Sequence, residues 1–168
     1  MNHLLNFKHA AYLSLALACS YSNHSFGQID DSTFMELYDS INVEINSKSS
    51  KAALALLSKN KSLFYEFDCN QKAMFYSRFG AVEYLEKNDS LALNYWIDST
   101  LFHWINCETV NDFHFALTHF NIANSSRYIN DRKSADYYFS KSMKLFDNLN
   151  GLDQNWFGVK LLSVSKYY

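Results

Sequence analysis

Apolar side chains recur every three or four residues along most of the chain, and short Asn, Asp and Ser clusters interrupt them. That spacing predicts amphipathic helices. The first stretch runs from about Ser32 to Asn46, with Phe34, Leu37, Tyr38, Ile41 and Ile45 on one side. Thr33 and Glu36, three apart, read as a capping box. A second stretch, Lys51 to about Phe67, carries Ala53, Leu57, Leu63, Phe64 and Phe67. Asp68-Cys69-Asn70 breaks it and can cap the next helix. The third runs from Gln71 to Lys87 and the fourth from Leu91 to Asn106. Between them Asn88-Asp89-Ser90 acts as a stop and a new N-cap. The fifth spans about Asp112 to Ile129, and the sixth Arg132 to Leu149, ended by Asn150-Gly151. A last stretch, Asp153 to Tyr168, has Trp156, Val159 and Leu162 on one side. No strand-like alternation is sustained, so an all-α fold of three helical hairpins and a seventh helix is expected.

Composition narrows this picture. The chain has four glycines and no proline, which excludes collagen-like and Pro-rich segments and disfavours turn-dense β-sandwiches. A hydrophobic share of 48% excludes intrinsic disorder. The net charge of −2 leaves no electrostatic footprint for nucleic acid or anionic lipid.

Residues 1–27 are expected to be a secretory signal, leaving residues 28–168 as one helical domain. Lys8 is followed by an apolar run, Ala10 to Ala18, of about ten residues, about half of what a bilayer span needs. Ser25-Phe26-Gly27 places small residues three and one before Gln28, which suits cleavage there. Leu17-Ala18-Cys19 offers the alternative of a lipidated Cys19, although Ala16 stands where a lipobox has leucine. A third possibility is a short uncleaved segment. Each reading exports the chain, to the periplasm or beyond, with membrane attachment only through a lipid on Cys19.

The second and third hairpins superpose with an offset of 43 residues. Gly80 falls on Ala123, Ala92 on Ala135, Trp96 on Phe139, Ser99 on Ser142 and Phe102 on Leu145. Small residues at Gly80 and Ala92 let antiparallel helices approach, and the ring four residues on fills the gap. This pattern resembles the tetratricopeptide repeat (TPR), with a small residue in helix A, alanine 12 residues later, then an aromatic and a small residue. The first hairpin offers Ala53 and Leu57. Departures are Glu83 and Ser126 where the family has tyrosine, the missing proline, and a period of 43 instead of 34. The resemblance implies a short stacked solenoid with a C-terminal capping helix, binding a peptide or protein on the concave face of its A helices. Carried over position by position, it implies binding residues Met74, Ser77, Ala81 and Tyr84 in the second hairpin. The third supplies Leu117, Phe120, Asn124 and Arg127, and the first Met35, Tyr38 and Asn42. The same residues read on their own as helix core and solvated surface.

Catalytic chemistry has little to stand on. Four scattered glycines cannot build a phosphate loop, and Glu83, Glu86 and Asp89 read as a solvated face. His103, Cys107, His114 and His119 fall within 17 residues, but their spacing fits no zinc motif, and His114 and His119 lie about 140° apart on a helix. No catalytic residue, metal or cofactor is therefore assigned. Cys69 and Cys107 lie in turns between hairpins. Export permits a disulfide, whereas a turn-to-turn distance of ~10 Å across a repeat favours two thiols. The expected function is an exported, non-enzymatic protein-binding scaffold. The alternatives are the truncated extracytoplasmic sensor segment of a signalling protein and, more remotely, a small helical enzyme or metal-binding protein.

Overall fold

The structure, a computed structural model, describes residues 28–149. The expected signal, the Cys19 lipidation site and the seventh helix lie outside the described residues. Within them every regular element is helical. Helices α1 (Asp31–Asn46), α2 (Ser50–Lys59) and α3 (Cys69–Leu85) come first, with a 3-10 turn (Lys61–Glu66) between α2 and α3. Helix α4 (Asp89–Asn94) runs through a π-helical stretch (Tyr95–Leu101) into α5 (Phe102–Ile105). Helices α6 (Asp112–Tyr128) and α7 (Arg132–Asp147) complete the order.

Each hairpin pairs a long first helix with a second one: α1 with α2, α3 with the α4–π–α5 unit, and α6 with α7. Helix α3 also meets α1, α2 and α6, and α6 also meets α4 and the π-helical stretch. The two central helices are therefore buried on several sides, α3 through Ala73, Met74, Phe75, Phe79 and Gly80 and α6 through Ala116, Phe120, Ile122 and Ala123. Among the described residues helix α7 packs chiefly on α6, buries Ala135, Ser142 and Phe146 and is strongly two-faced. Two hydroxyls in the crowded helices are satisfied locally: Ser77 donates to the Met74 carbonyl at 2.6 Å and Thr118 to that of His114 at 2.9 Å, whereas Ser125 donates to the Asp89 carboxylate at 3.2 Å.

The three turns inside the hairpins are copies of one another. Lys48, Lys87 and Asn130 adopt φ of 60°, 61° and 64°. Each turn closes with the same two bonds. Lys48, Lys87 and Asn130 donate to the carbonyls of Ile45, Tyr84 and Arg127, and Ser49, Asn88 and Asp131 donate to those of Glu44, Glu83 and Ser126. This is the Schellman closure of a helix C-terminus. It aligns Ile41, Gly80 and Ala123, and equally the buried alanines Ala53, Ala92 and Ala135.

Gly80 and Trp96 meet as the sequence suggested. A Cβ on Gly80 would lie 2.5 Å from the Trp96 indole nitrogen, and that N–H donates to the Ser77 carbonyl at 3.2 Å. In the first hairpin the sizes are exchanged: Ile41 stands at the Gly80 position and Leu57 at the Trp96 position, both fully buried.

Several sequence expectations shift. The helix predicted over Lys51–Phe67 stops at Lys59, and Asn60 turns its side-chain amide back to the Leu56 carbonyl at 2.8 Å. The first cap is Asp30, which accepts from the Thr33 N–H at 2.9 Å, and not a Thr33–Glu36 box. Asp68 forms a reciprocal box with Gln71 instead. The fourth helix carries a π-helical insertion that adds one residue to its inward face. Thr100, fully buried, takes the place opposite Ser142 where Ser99 was expected, and Trp104 matches Phe146. Phe102, expected inside, is 58% exposed.

Cys69 and Cys107 form a disulfide with a Cα separation of 5.5 Å, so the two-thiol alternative does not hold. The ~10 Å spacing between successive turns does not apply, because Cys69 opens α3 while Cys107 follows α5 of the same hairpin. Both sulfurs rest against the His103 carbonyl oxygen, at 3.2 and 3.1 Å. The bond ties the two ends of that hairpin together.

Candidate functional site

Helices α1, α3 and α6 lie side by side, and two hollows open along them. The first, of about 430 Å³, is bounded by Phe34 and Met35 of α1, Met74 of α3 and His114 of α6, with Asp31 and Asp68 at one end. The second, of about 230 Å³, is lined by Ile45, Ala81, Tyr84, Trp96, Phe120 and Asn124, with Leu85 and Asn121 beside them.

Arg78 lies between the two hollows. Its Nη1 donates to Asn42 Oδ1 at 2.5 Å, and its Nε and Nη2 donate to Ser77 Oγ at 3.2 and 3.1 Å. The guanidinium stacks over the Tyr38 ring, 4.8 Å from its centroid. All three supports are neutral, so among the described residues this half-buried cation has no carboxylate partner. His114 meets the Tyr38 ring edge-on at 5.7 Å. Burial, with Arg78 nearby, lowers its pKa to about 4, so the imidazole is neutral at physiological pH.

The residues expected to bind a partner are distributed as follows. Tyr38, Asn42, Met74 and Ser77 gather around Arg78 and the first hollow, and Tyr84, Phe120 and Asn124 line the second. Tyr38, Met74, Ser77 and Phe120 are buried, at 4%, 6%, 5% and 4% exposure, and so offer floor and support. Leu117 instead packs beside the Ala116–Phe120–Phe146 cluster, and the Arg127 guanidinium lies over Tyr128 at 5.2 Å. As groove residues, Arg78, His114 and Asn121 escaped the sequence reading, which weighed His114 only as a metal ligand. The stripe of α3 that runs along the hollows is Met74, Arg78, Ala81 and Leu85, one step round the helix from Ser77 and Tyr84. An offset of 43 places Arg78 on Asn121, so the repeat itself carried the signal.

The histidines are dispersed. His103 stacks on Tyr76 at 5.5 Å, and His119 is buried with Nδ1 2.9 Å from the Phe115 carbonyl oxygen, which requires the proton on that nitrogen. Burial lowers the pKa of both. Among the described residues no group of three His, Cys, Asp or Glu side chains could hold a metal ion. Nor is any described helix long and apolar enough to cross a membrane. No known family, curated protein or solved structure matches the chain.

Proposed function

We propose that the protein is an exported, non-enzymatic scaffold of stacked TPR-like hairpins that holds a peptide or protein segment along α1, α3 and α6. The carrying observation is Arg78, an uncompensated cation between two hollows, which suits a segment presenting an acidic side chain flanked by apolar ones. Three identical turns and the aligned small residues support the repeat reading, because equivalent hairpins stacked in sequence leave their first helices on a shared face. Export rests on the apolar N-terminal stretch, and the Cys69–Cys107 disulfide accords with an oxidising compartment.

The test compares partners recovered by affinity purification from envelope fractions with wild-type protein and with Arg78→Gln. Any partner of this face is recovered at least tenfold less by the variant, a loss of about 1.4 kcal/mol or more. Equal recovery by folded Arg78→Gln and by a Tyr84→Ala, Arg127→Ala double variant refutes the reading.

A further inference from the structure

A third hollow lies away from the α1–α3–α6 face, where the 3-10 turn crosses α3. Its volume is about 430 Å³, within the range of small-molecule sites. Phe75 and Phe79 form its buried floor, Phe64 and Tyr76 are half-buried walls, and Tyr65 stands at the edge with 82% of its surface exposed. The rings hold one another edge to face, Phe64 with Tyr76 at 4.9 Å and Phe75 with Phe79 at 5.7 Å. Such packing fixes the cavity walls before any guest arrives. The break at Asn60 creates this place, since a continued helix would point Phe64 and Tyr65 elsewhere.

Charge decides what kind of guest fits. Lys61 lines the edge, and the Lys72 ammonium sits 5.6 Å from the centroid of the Phe64 ring. Among the described residues no acidic side chain lines the hollow. Aromatic faces attract cations, and one face of each of three rings here is already engaged: His103 stacks on Tyr76, Tyr95 on Phe79 at 5.3 Å, and Lys72 covers Phe64. Burial, with Tyr95 and Tyr65 close by, raises the Tyr76 phenol above its ordinary pKa, so it stays a neutral donor.

We propose that this hollow binds an amphipathic carboxylate, its apolar body on Phe75 and Phe79 and its anionic head at Lys61. The site is separate from the α1–α3–α6 face and stands whether or not that face binds a peptide.

Calorimetric titration of the full chain with decanoate and with decyltrimethylammonium, which share an apolar tail but differ in head charge, tests it. Decanoate binds, and the cationic analogue binds at least tenfold more weakly. Lys61→Glu weakens decanoate at least tenfold and narrows or reverses that preference. Ser62→Trp, an exposed position that can plug the mouth without touching the core, abolishes both. Circular dichroism confirms that each variant is folded. Absence of decanoate binding, equal or tighter binding of the cation to wild type, or decanoate binding unchanged in both variants overturns the proposal.

Discussion

Gly80 shows how one hydrogen atom governs a helix pair. The Trp96 indole occupies the space a side chain would need, with three ring atoms between 2.5 and 2.8 Å from where a Cβ would stand. The ring cannot step aside cheaply, because it is buried, donates to the Ser77 carbonyl and touches Tyr84 at 6.0 Å. Gly80→Ala gains helix propensity but overpacks this contact, so it destabilises by about 1–3 kcal/mol in urea denaturation. Gly80 and Trp96 were legible as a pair because size complementarity leaves a sequence trace: smallest residue, largest ring, fixed spacing. Arg78 left no such trace of size, only its repeat match to Asn121. Arginine on a helix reads as solvated surface, and only Tyr38 and Asn42, brought from another helix, turn it into a held cation.

The turns are the most regular elements, and they are built from residues poorly suited to them. Lys48 and Lys87 sit in the left-handed region, which glycine occupies without penalty. Lys87→Gly at this C-terminal position is expected to stabilise by up to about 1 kcal/mol, seen as a rise in Tm, while Asn130→Gly gains less because asparagine already tolerates the conformation. The disulfide works at the same scale. It closes a loop with a sequence separation of 38, for which chain entropy gives about 4 kcal/mol. Replacing both cysteines by serine lowers the denaturation free energy by about 2–5 kcal/mol, and reduction of the wild type reproduces the loss. Helix positions followed directly from apolar spacing, but the π-helical insertion did not. It changes which residues face inward by a single step, and Thr100 beside Ser99 gives no local sign of it.

At the scale of the whole molecule, three neutral histidines among the described residues contribute to the response to acid. Burial, with a nearby cation in each case, lowers the folded-state pKa of His103, His114 and His119. The unfolded chain therefore takes up protons first, so stability is complete above about pH 6.5 and falls as pH drops below it. For His114 the loss continues to about pH 4 and reaches about 2 kcal/mol at pH 5. Urea midpoints at pH 7.5 and pH 5 measure it: the wild type is less stable at pH 5, and His114→Gln narrows the difference.

The sequence pattern alone determined that the described residues are helical, where most of their helices begin and end, and that Gly80 belongs with Trp96. These follow from interactions within a helix or between helices adjacent in sequence, whose periods are written in the chain. Tertiary structure alone decided that Cys69 meets Cys107, that the fourth helix gains a residue, and that Arg78 has no counter-charge among the described residues. It also decided that Phe64 and Tyr65 leave the second helix to wall a hollow. Each of these depends on which surfaces segments distant in sequence present to one another, and no local period encodes that.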